Sequence, residues 1–181
     1  MKNILLALGL LISVYTSAQD YITRNGNISF YSHTPLEDIN AENNEVASAV
    51  NTATGSFEFK AAVKSFHFKK TAMEQHFGDE DYMDAEKFPK ASFSGKITNL
   101  SSVDFTKDGD YNVTVQGNLT VKDVTKPVTV QGVIAVKSGT VSAQAKFDVN
   151  RKEYHVIGQA FVQQKIEDVI HVSVNCQYEK R

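Results

Sequence analysis

The sequence predicts an all-β domain of about eight antiparallel strands, with one short helix and a leading export signal. Two observations carry the fold class. Apolar and polar residues alternate with period two through most of the chain from Tyr21 onward, and dipeptides that favour tight turns separate the alternating runs. A third, an N-terminal stretch of different character, sets the boundary of the domain.

Residues 1–18 hold Lys2, an apolar run from Ile4 to Tyr15, and the small residues Thr16, Ser17 and Ala18. That charged, apolar, small order is the pattern of a secretory signal peptide, with cleavage after Ala18. The apolar run has roughly 12 residues, too few for a bilayer core that needs about 20, and no later segment is apolar enough to span. The expectation is a periplasmic or secreted protein without stable membrane insertion, formed by residues 19–181. A chain of about 163 residues suits a single domain with a sizeable core.

The clearest strand puts Tyr111, Val113, Val115, Gly117, Leu119 and Val121 on one face, and Asn112, Thr114, Gln116, Asn118, Thr120 and Lys122 on the other. Val128, Val130, Gly132, Ile134 and Val136 form the next run, then Val141, Ala143, Ala145, Phe147 and Val149. Lys137-Ser138-Gly139-Thr140 supplies the turn between them. Ile170, Val172, Val174, Cys176 and Tyr178 share one phase near the end. Asn25-Gly26 and Asp108-Gly109 are further tight-turn signals. In the first half Phe57, Phe59, Ala61 and Val63 share a phase that Phe66 and Phe68 oppose, which predicts a bulge near Lys64 or Ser65.

Thr71 followed by Glu74 reads as a capping box, Met73 and Phe77 share a helical face, and Gly78 closes the helix. Residues 79–87 read as a loop or a further helical turn that ends before Pro89. Residues 34–54 show no clear period and read as a loop over a barrel mouth or a poorly marked strand. Long antiparallel strands leave exposed edges unless the sheet closes or doubles over, so the architecture is a barrel or a sandwich. An eight-stranded barrel holds side chains or one small ligand. Small residues at Gly95, Gly117, Gly132, Ala143 and Ala145 suit either a tapering packed core or an elongated hole.

Composition removes several functions. Without Lys2 the chain is one unit more negative than its full-length net charge of -2, and both signs are interspersed, so nucleic acid is not an expected partner. The single Cys176 allows no internal disulfide, and its apolar phase reads as buried filler. His33, His67, His76, His155 and His171 lack metal-ligand spacing, so a metal site would depend on the fold gathering distant residues. The acidic residues Asp79, Glu80, Asp81, Asp84 and Glu86 lack the spacing of a calcium loop. There is no nucleophile elbow, P-loop or dinucleotide glycine pattern, and neither catalysis nor a cofactor is expected. Arg151 with Tyr154 and His155 is the one suspect polar cluster: Arg151 suits an anionic or carbonyl head group at a barrel mouth, or a carboxylate such as Asp148 or Glu153.

Three stretches then stand out together: MEQHFGDEDYMDAEKFPKASF from Met73 to Phe93, GNLTVKDVTKPVTV from Gly117 to Val130, and FDVNRKEYHV from Phe147 to Val156. They resemble the YceI-like family of exported, polyisoprenoid-binding, lipocalin-like proteins. The first is similar to that family's helix, acidic loop and Phe-Pro-x-x-x-Phe strand entry, and the second to its Thr-Lys-Pro hairpin. In the third, Arg151 and Tyr154 match while His155 stands where the family usually has Gly.

The resemblance implies an antiparallel lipocalin-like β-barrel that is not an enzyme and binds an amphiphilic isoprenoid-like or fatty molecule, such as an isoprenoid quinone or fatty acid. The expected walls are Phe57, Phe59, Phe93, Ile97, Tyr111, Val113, Val115, Leu119, Ile134, Phe147 and Val172, with Arg151 at the mouth. The alternative is a barrel filled by its own Phe and Val side chains that acts through its surface as an interaction or stress-response module. A third reading is an enzyme using Arg151, Tyr154 and His155 on a lipid-like substrate.

Overall fold

The computed structural model describes residues 20–34, 38–159, 163 and 166–181, and residues 1–18, expected from the sequence to be a signal peptide, lie outside them. Nine strands are described: β1 (Asp20–Ser32), β2 (Ile39–Asn51), β3 (Ser56–Ala62), β4 (His67–Phe68), β5 (Lys90–Ile97), β6 (Gly109–Val121), β7 (Val124–Lys137), β8 (Thr140–Asn150) and β9 (Val169–Lys180). One α-helix, α1 (Thr71–Phe77), follows β4. The sheet runs β1-β9-β8-β7-β6-β5-β3-β2, and β1 also pairs with β2. Eight antiparallel strands therefore close into a barrel, the outcome that removes the long exposed edges. The short β4 pairs with β2 at Ala41 and Glu42.

Strand direction alternates around the barrel, so its two ends differ. One end carries the β2–β3 and β7–β8 turns and the long β5–β6 connection; the other carries α1 and the β1–β2, β6–β7 and β8–β9 connections. At the first, here the packed end, Tyr21, Val50, Ile97, Val136, Val141 and Tyr178 are each no more than 4% exposed. Phe105 of the β5–β6 connection stacks on Tyr21 with ring centroids 6.1 Å apart. The Ser48 hydroxyl donates to the Glu58 carbonyl at 2.8 Å and lies 2.8 Å from the buried Tyr178 hydroxyl, which donates to it. The packed end is a filled, hydrogen-bonded core.

Several elements depart from the sequence expectation. Residues 34–54 contain the full-length strand β2. Its pattern is obscure because two inward positions, Asn43 and Ser48, are polar, and because the register with β1 shifts between Asn43 and Val46. The Asn43 amide compensates by donating to the Ala62 carbonyl at 2.9 Å and accepting from the Glu45 N–H at 2.8 Å. The phase change before Phe66 comes from a 3-10 turn at Val63–Ser65 and not from a bulge. In α1 the N-cap is Lys70, not Thr71, and Glu74 reaches back to accept from the Phe68 N–H at 3.1 Å.

Not every turn-favouring dipeptide marks a turn. Ser138 and Gly139, with φ of 49° and 79°, make the tight β7–β8 turn that needs positive φ at both positions. Lys122 and Asp123 alone join β6 to β7, and Pro127 lies within β7, where only β6 pairs with it. Asn25-Gly26 is not a turn. It sits inside β1 at a register shift, where a Cβ on Gly26 would lie 2.6 Å from the Cys176 sulfur. Asp108 ends the β5–β6 connection and accepts from the Ser138 N–H at 2.9 Å. Gly95 and Gly117 face each other in register, and a Cβ on either would lie 2.6 Å from the Phe93 ring, so their smallness seats that ring.

Cys176 is fully buried beside Gly26, and burial pushes its thiol from an ordinary value of 9.0 up to about 11. In this range the unfolded chain releases the proton first. The stabilisation is whole below about pH 9 and is lost as pH rises through 11, on the order of 2 kcal/mol. Melting temperature should fall more steeply between pH 9 and 11 in the wild type than in Cys176→Ala. At pH 8 an aromatic disulfide reagent should leave the thiol untouched until denaturant is added; rapid native labelling would contradict this burial.

Candidate ligand-binding cavity

At the helix end the side chains do not fill the barrel. A cavity of about 390 Å³ lies among β1, β6, β8 and β9, α1 and the β8–β9 connection. Phe30, Phe66, Phe68 and Phe77 form an aromatic wall with ring centroids 5.2 to 5.8 Å apart. Leu119, Val121, Val149, Val156, Ile170 and Val172 supply aliphatic wall. A second hollow of about 130 Å³ adjoins it toward the barrel centre and shares Ile28, Phe66, Ala91, Leu119 and Phe147 with it. The larger volume falls inside the roughly 300–1,000 Å³ typical of ligand pockets, and the smaller alone falls short.

The barrel widens here because neighbouring strands part. β7 and β8 pair from Lys137–Thr140 only as far as Gly132–Ala145, whereas β8 and β9 continue to Asn150–Val169. The 3-10 turn at Arg151–Tyr154 meets the free stretch of β7: Lys126 pairs with Glu153 at 2.8 Å, and its ammonium lies 6.0 Å from the Tyr154 ring centre.

Of the expected wall residues, Phe57, Phe59, Phe93, Val113, Val115 and Ile134 line the smaller hollow, Val172 and Arg151 the larger, and Leu119 and Phe147 both. Ile97 and Tyr111 line neither. Their strands carry them to the level where the core closes: Ile97 is 4% exposed, and the Tyr111 hydroxyl donates to the Lys107 carbonyl at 2.8 Å. The aromatic wall of the larger cavity was missed. Its signal was the phase change at Phe66 and Phe68 together with the Met73–Phe77 face of α1, which places Met73 and Phe77 in the lining.

Arg151 does not meet the expectation of a head-group ligand. Its guanidinium, 5% exposed, donates from Nε to the Glu167 carbonyl, from Nη1 to the Val156 and Ile157 carbonyls, and from Nη2 to the Gln163 and Ile166 carbonyls and the Asp168 carboxylate. All five N–H groups are thus engaged within the β8–β9 connection. The carboxylates named from sequence are taken elsewhere, Asp148 by His171 and Glu153 by Lys126. Arg151 holds a roof in shape. Gly158, at φ 80°, docks that roof on the acidic loop: its N–H donates to the Asp81 carbonyl at 2.8 Å, and a Cβ there would lie 2.9 Å from the Tyr82 ring.

All five histidines lie at this end, each against its own carboxylate: His33–Asp38, His67–Glu74, His76–Asp79, His155–Asp123 and His171–Asp148. Among the described residues no three His, Cys, Asp or Glu side chains converge as metal ligands. His155 adopts the left-handed conformation, φ 56°, which explains why a Gly suits that position. Its ring points to Asp123, away from Arg151's partners, so the Arg151, Tyr154 and His155 trio does not assemble.

The described ionisable residues of the larger cavity are His76, Tyr82, Arg151 and Tyr154. Burial raises both tyrosine hydroxyls above their ordinary range, which keeps them neutral. Ser32, the last residue of β1 and 1% exposed, also lines this cavity. Among the described residues its Oγ is the buried side-chain polar atom without a hydrogen-bond partner. Leaving a hydroxyl unsatisfied in this way costs about 1–3 kcal/mol.

Arg151→Met should strip the roof of its staple and leave several carbonyls unpaired. The expected loss is about 3 kcal/mol, roughly 6–12 °C in melting temperature. Hydrogen exchange should accelerate across residues 156–159 and 166–168 and stay slow in β6 and β9; unchanged protection at those residues would contradict the stapling role.

The domain model described as YceI-like matches residues 21–178. Among solved structures, a polyisoprenoid binding domain from Saccharophagus degradans implicated in plant cell wall breakdown superposes with a TM-score of 0.78 at 11% identity, covering 91% of this chain and 99% of that one. BcnA of Burkholderia cenocepacia gives 0.65 at 18% identity, covering 85% and 96%. A YCEI protein of Campylobacter jejuni gives 0.61 at 14%, covering 82% and 90%. The search of curated proteins returned no match. At such identities the structural likeness shows a shared barrel, and the domain match over nearly all the described chain shows the lineage: the chain belongs to the YceI-like domain family.

Proposed function

We propose that this protein is an exported, non-enzymatic carrier that encloses the apolar chain of an amphiphilic isoprenoid-like or fatty molecule at the helix end of its barrel. The observation that carries the reading is the cavity of about 390 Å³, walled mainly by apolar side chains, Phe, Val and Ile foremost, and continued by a second hollow toward the barrel centre. Each methylene transferred there from water contributes about 0.8 kcal/mol, so a chain of several such groups is held without any charged contact. Family membership and the polyisoprenoid binding named for the Saccharophagus degradans domain support the same ligand class. Export is inferred from Lys2, the apolar run and the small residues through Ala18.

The surface-module alternative rests on a self-filled barrel. Self-filling describes the packed end, where Tyr21, Ile97, Val141 and Tyr178 occupy the interior, and does not extend to the helix end. The enzyme reading lacks its assembled trio.

Native mass spectrometry of the protein from the exported fraction of its own cells tests both parts. The expected result is a polypeptide mass beginning at Gln19 with one apolar molecule bound, released on solvent extraction. An unliganded mass that stays unchanged after incubation with isoprenoid quinones and fatty acids would overturn the carrier reading. A polypeptide retaining residues 1–18 would overturn cleavage.

A further inference from the structure

Four of the five buried polar residues have partners: Asn43, Ser48 and Arg151 in the bonds described above, and Thr34 as well. Ser32 is the exception: it is among the residues that line the larger cavity, and its Oγ is buried there without a partner. A buried hydroxyl that faces no protein acceptor or donor is ready to serve a polar atom that arrives with a ligand.

The surrounding charges restrict what that polar atom belongs to. A phosphate or carboxylate moved into an apolar cavity needs a cation with donors to spare. Among the described lining residues Arg151 has all its donors committed to the roof, and His76 faces Asp79 at 3.0 Å. Tyr82 and Tyr154 are neutral. A single hydroxyl, able to donate one hydrogen bond and accept another, matches a single uncharged oxygen.

We propose that the Ser32 hydroxyl is the polar contact that reads the ligand, and that the ligand presents to it an uncharged oxygen such as an alcohol, quinone or amide carbonyl. This rests on the carrier reading. Ser32 ends β1 at the helix end, so the oxygen lies near the roof and the apolar chain runs past Ile28 and Leu119 toward Phe93 and Val130 in the smaller hollow. The geometry thereby gives the bound molecule a direction as well as a class.

The test is binding of farnesol, its hydrocarbon counterpart farnesene and farnesyl phosphate to the wild type, Ser32→Ala and Ser32→Thr, followed by calorimetry or tryptophan-free fluorescence competition. Ser32→Ala should weaken farnesol by about five- to tenfold and leave farnesene unchanged, while Ser32→Thr, which keeps the hydroxyl, retains farnesol affinity. Unliganded Ser32→Ala should melt no lower than the wild type, because it removes an unsatisfied group; a lower melting temperature would show that Oγ is already partnered and overturn the assignment. Farnesol binding insensitive to Ser32→Ala, or farnesyl phosphate binding tightest, would overturn it while the carrier reading stands. Failure of the wild type to bind any of the three would remove both.

Discussion

Closure of the sheet by β1, which pairs with β9 on one edge and β2 on the other, is the constraint on which everything else depends. Once eight strands share one closed ladder, the circumference is set by backbone hydrogen bonds, and side-chain volume alone decides whether the interior is full. Tyr21, Tyr178 and Phe105 fill one end. At the other, β7 and β8 part beyond Gly132 and Ala145, the circumference grows, and the inward Val, Leu and Phe side chains no longer meet across the centre. A packed floor and a hollow upper half follow from one topology.

Polar accounting explains why the hollow half persists. A widened barrel end must be covered, and the covering connection carries backbone carbonyls that need donors. Arg151 answers five of them and binds Asp168 as well, in a single side chain, so the roof is held from within its own connection. The arrangement keeps the roof's polarity turned upon itself. The surface left around the cavity is mostly hydrocarbon; Thr34, His76, Tyr82 and Tyr154 are also among its described lining residues, and Ser32 is the one whose buried side-chain oxygen has no partner.

Much of this was legible from period-two alternation. The inner faces of β3, β6, β7, β8 and β9 were read correctly because each buries one face with few polar interruptions. β2 was not legible as a strand, since Asn43 and Ser48 occupy inward positions through hydrogen bonds that only the folded barrel supplies. Asn25-Gly26 misled for a related reason: its glycine answers a contact with Cys176 from a strand some 150 residues away, not a local turn. The site was half legible. Alternation found the wall of the smaller hollow, while the larger cavity depends on Phe66, Phe68 and Phe77, brought there by a 3-10 turn and a helix whose placement no local period encodes. The role of Arg151 was equally hidden, because its partners are carbonyls, which every residue possesses.

On the carrier reading proposed above, one end of this barrel is a binding space and the other a packed core. Methyl-resolved NMR of the protein titrated with farnesol addresses it most directly. The account predicts shift changes at Ile28, Leu119, Val149, Val156 and Ile170, with Val46, Val136 and Val141 unmoved. Changes confined to the packed end, or to outward-facing residues, would contradict it.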